Sequence, residues 1–264
     1  MRLRIEPLLV IAAFATSVPA GVERPPTYTP TSGPTQRAGG HPTPDPFTGY
    51  QLPHPPITVS TPPEAGGTDE FGDLICSDDC SLAVYAFTRR SGESTDVMTT
   101  IWNGLEWGEP ERMNSGTPKA SSPQLAFDTN GTVVIVWLSS DPIGASIQAA
   151  RWVSTSHWSD PVRVSGPAED PSALDLIRDP RTGVVTVIYA SRIASGSSLV
   201  LRRLLGYEPM NGFPTWGDEI SLQTIQECVE RVSCSVDLAN GSRPVVRVDW
   251  KSVQGATGTI FVGR

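Results

Sequence analysis

An all-β fold built from about four four-stranded units is what this sequence predicts, and three observations predict it. One pattern recurs every fifty to sixty residues: an apolar strand, a turn rich in Asp, Asn and Gly, then a β-branched strand carrying an aromatic. A tryptophan-led segment is interleaved with that pattern. The last unit stops one strand short, and a strand-like segment ahead of the first unit has the sequence to replace it.

Taken from the N-terminus, "MRLRIEP" is positively charged, "LLVIAAFATSV" is apolar, and "VPA" supplies small residues for cleavage near Ala20. This predicts a signal peptide over residues 1–20, too short to span a bilayer comfortably. Residues 21–53 are dominated by Pro, Thr, Gly and Ser, with almost nothing to bury. They are expected to form a disordered linker, because such a segment cannot offset the entropy of its own ordering. Residues 54–264 hold the repeats.

Four segments align: "LICSDDCSLAVYAF" (74–87), "QLAFDTNGTVVIVW" (124–137), "LDLIRDPRTGVVTVIY" (174–189) and "CSVDLANGSRPVVRVDW" (234–250). Their aromatics are read as Tyr85, Trp137, Tyr189 and Trp250, and their turns carry residues that tolerate positive φ. The interleaved segments are "WGEPERMNS" from Trp107, "WSDPVRVSG" from Trp158 and "WGDEISLQ" from Trp216. Each unit therefore holds about four short strands, the signature of a β-propeller blade. "HPPITVST" (54–61) resembles "SDPVRVSG" (159–166), so the strand Ile57–Ser60 is expected to complete the last blade and close the ring.

The repeat resembles the bacterial extracellular propeller repeats of the sialidase-like and BNR-like superfamily. There, units of the form P-x-φ-A-x-D-x-x-G-x-φ-φ-φ-φ-W, with φ apolar, alternate with W-S-x-P-φ-x-φ-S. The unit from Ser122 to Ser165 matches best, and the resemblance spans roughly residues 54–264. Two departures stand out. The Asp-box S-x-D-x-G-x-x-W is intact in no repeat, and family rings commonly have six blades where four are counted here. A closed four-bladed ring is the expectation; a half-ring completed by a second copy is the alternative.

The resemblance also implies where a sialidase-type enzyme would carry its chemistry: three arginines on the substrate carboxylate, a Tyr–Glu nucleophile pair and an acid/base Asp. Arg90 and Arg192 follow second strands, and Arg151, Arg202 and Arg203 lie on third strands, but none matches a family motif residue by residue. No H-E-x-x-H, G-x-S-x-G, phosphate loop or dinucleotide fingerprint is present. His41, His54 and His157 are scattered, and Asp78 with Asp79 falls short of a calcium shell, so no metal and no cofactor is expected.

The four cysteines form two close pairs, Cys76 with Cys80 and Cys228 with Cys234, and in an exported chain local disulfides are expected. Trp107, Trp137, Trp158 and Trp250 recur at equivalent positions, as residues packed between blades do; Trp102 and Trp152 are less tied to the repeat. Asn130 and Asn240 satisfy a glycosylation sequon but fall in hairpin turns.

A formal net charge of −8 argues against nucleic acid and anionic membranes as partners. The expected protein is exported, secreted or held at the cell surface, monomeric with a homodimer as the alternative, and without a membrane span after cleavage. It is expected to bind a carbohydrate or a surface protein without catalysis, with a sialidase-like hydrolase as the competing class. In a propeller, the loops between second and third strands and the crossovers between blades share one mouth. That places Arg90, Asp141, Arg192 and Lys251, with Glu169 and Asp170, at the expected ligand rim.

Overall fold

A computed structural model describes residues 10–12, 67–77, 81–114, 119–142, 144–154, 157–237 and 245–263. Every element among them is a strand, and the strands form three sheets that divide into four successive antiparallel blades, a parallel bridge between Thr95 and Lys119 joining the first two. Blade one is β2 (Thr68–Cys76), β3 (Ala83–Ser91), β4 (Ser94–Trp102) and β5 (Glu111–Arg112). Blade two is β6 (Lys119–Phe127), β7 (Val133–Asp141) and β8 (Gly144–Ser154), with β9 (His157–Trp158) and β10 (Val162–Arg163) both paired to β8. Blade three is β11 (Pro171–Arg178), β12 (Val185–Ile193) and β13 (Gly196–Tyr207), with β14 (Pro214–Trp216) and β15 (Ile220–Ile225) both paired to β13. Blade four is β16 (Val229–Asp237), β17 (Val245–Ser252) and β18 (Thr257–Val262).

An N-terminal strand does complete blade four, but it is β1 (Val10–Ala12), paired antiparallel with β18 from Val10↔Val262 to Ala12↔Ile260. The expected donor, Ile57–Ser60, lies outside the described residues, as does the rest of the leader and linker.

Alternation of side chains along the second strands of blades two and three feeds two cores at once. Trp137 joins Val84, Val97, Leu125 and Ile135 between blades one and two, while its neighbour Val136 joins Ile147, Val187 and Tyr189 between blades two and three. Ile188, beside Tyr189, packs with Leu199, Leu201, Val248 and Ile260 between blades three and four. Among the described residues, no comparable packing joins the strands of blade four to those of blade one.

Each inner strand carries a register shift: between Phe71 and Asp73, Ser121 and Gln124, Pro171 and Ala173, and Val229 and Arg231. These bulges fall where the four inner strands surround one polar central cavity of about 380 Å³, bordered by Gly72, Gln124, Asp175 and Arg231. Half-buried carboxylates link neighbouring inner strands. The Leu125 amide donates to Asp73 at 2.8 Å, from blade two to blade one, and the Cys234 amide donates to Asp175 at 2.6 Å, from blade four to blade three.

The register corrects one aromatic in the repeat. Trp137 lies two residues beyond the partner of Leu125 (Ile135), and Tyr189 and Trp250 stand in the same relation to Leu176 and Cys234. In blade one the partner of Leu74 is Tyr85, so the equivalent residue is Phe87. Phe87 is completely buried, stacked on Tyr85 at 5.2 Å with the Arg89 guanidinium over its ring. The pairs Trp102–Trp107 and Trp152–Trp158, at 5.9 and 5.3 Å, join the third strands of blades one and two to the segments that follow them.

The expected disulfide between Cys228 and Cys234 does not form; both thiols are free. The residues between them are the extended start of β16, and six residues at about 3.3 Å each separate the two far beyond disulfide reach. Burial, with Asp175 alongside, pushes the Cys234 thiol well up. Cys80 lies outside the described residues, so the pairing of Cys76 with it does too.

The β12–β13 hairpin sets one side of the mouth and depends on Gly196, whose φ is +142°. A Cβ there would sit 2.0 Å from the Ile225 carbonyl oxygen of β15. Gly196→Ala is expected to lower stability by about 1–3 kcal/mol, the cost of forcing a backbone to move, as urea denaturation would show.

Candidate functional site

The turns joining second to third strands and the crossovers between blades lie at one end of the fold. A cleft of about 430 Å³ opens there, with walls from blades one, two and three. Blade one contributes Glu70, Thr88, Arg90 and Thr95; blade two contributes the start of β6 and the end of β7; blade three contributes Asp170, Ser172 and Arg192. Arg90 pairs with Glu70 at 3.0 Å, and Arg192 with Asp170 at 3.7 Å. All four side chains remain about half exposed. Cross-strand geometry accounts for the first pair, since Glu70 lies opposite Thr88 and Arg90 opposite Thr68 on adjacent strands.

Of the six residues expected at the rim, the cleft unites Arg90, Asp170 and Arg192. Asp141 instead accepts the Gly144 amide at 3.0 Å in its own hairpin. Lys251 bridges to Glu230 at 2.8 Å within blade four. Glu169 turns inward, away from its neighbour Asp170.

Among the lining residues that were not expected are Glu70, Lys119 and Ser139. Ser139 is 2% exposed, lies opposite Ala120 on β6, and its Oγ has no hydrogen-bond partner. A serine in a β-branched strand carries no sequence mark of this kind. Only the placement of β7 at the cleft reveals it.

Glu169 anchors a second polar cluster. Its Oε2 accepts from the Tyr189 hydroxyl at 2.8 Å and from the Gly166 amide at 2.6 Å. Arg202 donates through Nε to the Tyr189 oxygen at 3.1 Å and reaches both Glu169 and Glu219 at 3.5 Å. Burial opposes ionisation of Glu169, yet hydrogen bonds from Glu219, Tyr189 and the Gly166 amide, with the Arg202 charge, hold its carboxyl below the usual range. The hydrogen bond to Glu169, then burial, pushes Glu219 above it. Burial pushes the Tyr189 phenol well up. Tyr189 is fully buried and its oxygen is already held by Glu169 and Arg202, which makes it part of the packing. The cluster latches the crossover that presents Asp170 to the cleft.

At the opposite end, the Asp-containing turn of blade two shows what the repeated acid does. Asp128 Oδ1 accepts the amides of Asn130 and Thr132 at 2.7 and 2.8 Å, and its Oδ2 accepts from Tyr207 of blade three at 2.6 Å. The Arg151 guanidinium lies 3.7 Å from the Tyr207 ring centroid. Turn capping and blade-to-blade attachment thus share one carboxylate. Among the described residues no group of three or more His, Cys, Asp or Glu is placed to hold a metal ion, and no helix is long and apolar enough to cross a membrane.

These features define a β-propeller with a cleft of mixed polar and apolar lining at its mouth. No family model matches the sequence, and no curated protein matches it either. Among solved structures, the chain is similar to an endo-arabinase from Bacteroides thetaiotaomicron VPI-5482, at 11% identity and a TM-score of 0.45 over 73% of each chain.

Proposed function

We propose that this protein is an exported, monomeric propeller that binds a glycan or a surface protein in its mouth cleft and does not turn it over. One observation carries the reading. Three blades converge on the cleft, and both carboxylates that line it, Glu70 and Asp170, are already engaged by arginines. A glycosidase of the common two-carboxylate kind needs its pair facing each other across its substrate, one free to give up a proton. The cluster around Tyr189 is packed as an internal latch, which supports a structural role over a nucleophilic one. Inner strands of all four blades border one cavity within a single chain, which supports the monomer.

The full chain on a broad glycan array tests the reading, scored for both retained protein and loss of terminal sugars. Retention without sugar loss is the expected result; sugar loss would make it a glycosidase. The double variant Arg90→Ala, Arg192→Ala should bind any retained ligand at least about tenfold more weakly, since hydrogen bonds to charged groups are each worth about 1.5–3 kcal/mol. Unchanged affinity would remove the cleft as the site.

A further inference from the structure

We infer that the ligand of the mouth cleft is an uncharged, polyhydroxylated molecule, a sugar residue or short run of a neutral glycan, held by hydrogen bonds across two internal ion pairs. This rests on the reading above that the cleft is the binding site.

The charge arrangement carries the inference. Each arginine of the cleft already has a carboxylate beside it, Glu70 at 3.0 Å from Arg90 and Asp170 at 3.7 Å from Arg192. An incoming carboxylate, phosphate or sulfate would have to displace a tethered carboxylate or sit beside it as a like charge. A hydroxyl group faces neither penalty. It donates to a carboxylate and accepts from a guanidinium at once, so vicinal hydroxyls can span an ion pair without breaking it. Both pairs are suitably open: the side chains are 57% and 53% exposed in one and 58% and 47% in the other. Lys119 adds one exposed ammonium, which in water attracts an anion only weakly and also donates to hydroxyl oxygens.

Six hydroxyl side chains share the rest of the lining with Ala120, Leu138, Gly144, Ala145 and Pro171. Thr88, Thr95, Ser121, Ser139, Ser140 and Ser172 give the cleft a wall of hydroxyls. The Ser139 Oγ is buried and unpartnered, a group whose desolvation is uncompensated until something in the cleft bonds to it. Among the described residues no aromatic side chain lines the cleft, so the described lining offers hydrogen bonds to a sugar and no stacking surface.

The test is retention of the full-length protein on uncharged polysaccharides (xylan, mannan, galactan and dextran) and on acidic ones (polygalacturonate, alginate and hyaluronan), at low and high salt. Retention on at least one uncharged polymer, changing less than about twofold between 50 mM and 500 mM NaCl, is expected, because a neutral ligand has no charge for salt to screen. Ser139→Ala should weaken that retention several-fold while the melting temperature stays level or rises. A purely structural serine would not separate the two readouts in this direction. Retention on acidic polymers alone, lost at high salt, would overturn the neutral-ligand inference and leave the cleft as the site. Retention on neither class, or retention indifferent to the Arg90→Ala, Arg192→Ala double variant, would overturn both.

Discussion

Replacing Arg202 with methionine should lower the unfolding free energy at pH 7 by about 3–5 kcal/mol, the range for removing one partner from a buried charge pair. Arg202 is 16% exposed and is the cation shared by Glu169, 13% exposed, and Glu219, 43% exposed. Methionine replaces much of its aliphatic length but leaves the two carboxyls and the Tyr189 hydroxyl without their common donor. The loss should depend on pH with a definite sign. Glu169 titrates below its usual range when folded, so its stabilising contribution is present above that range and is lost as pH falls through the folded value. Glu219 titrates above the usual range, so its ionisation costs stability as pH rises. Without Arg202 both carboxylates repel at neutral pH, and protonation relieves them. The deficit of the variant should therefore narrow from pH 7 towards about pH 4, near the reference range for glutamate. Urea denaturation at the two pH values measures it; a deficit that stayed constant with pH would mean that packing, not charge, explains the residue.

Blade architecture was legible because its signals are local. Period-two alternation and Asp- or Asn-containing turns sit within about fifteen residues of each other, and each blade repeats them. What failed was information that only pairing between strands supplies. Tyr85 and Phe87 lie two apart on one strand face, so either satisfies the pattern, and the register opposite Leu74 alone selects Phe87. The stretch from Cys228 to Cys234 is a similar case. Its bulge between Val229 and Arg231 breaks the alternation, so an inner strand passed for a loop that a disulfide could close. At the mouth, Arg90, Asp170 and Arg192 were placed by their position within the repeat. Glu169 was not, since adjacent residues in a crossover can face opposite ways and the pull of Tyr189 and Arg202 on it is a tertiary fact. Glu70 needed the β2–β3 register, and Ser139 needed the absence of a partner, which no sequence displays.

Trp137→Ala should cost about 3–5 kcal/mol, as truncations of large buried aromatics do. Trp137 is wholly buried in the core that joins blades one and two, against Val84, Val97, Leu125 and Ile135. Removing the indole leaves a cavity there, and rigid strands on both sides limit collapse into it. Against a total stability of about 5–15 kcal/mol, this alone would leave much of the chain unfolded at moderate denaturant. Trp137→Phe separates volume from polarity. The indole Nε1 is buried without a partner, so phenylalanine loses some packing but also removes an uncompensated donor. Phenylalanine is already the residue at the equivalent place in blade one, Phe87, where it too is completely buried. The expected order in urea midpoint is therefore wild type close to Trp137→Phe, with Trp137→Ala far below both. Were the phenylalanine variant as unstable as the alanine one, the indole would have to be contributing through a contact of its N–H, and the equivalence of the aromatic positions across the blades would lose its physical basis.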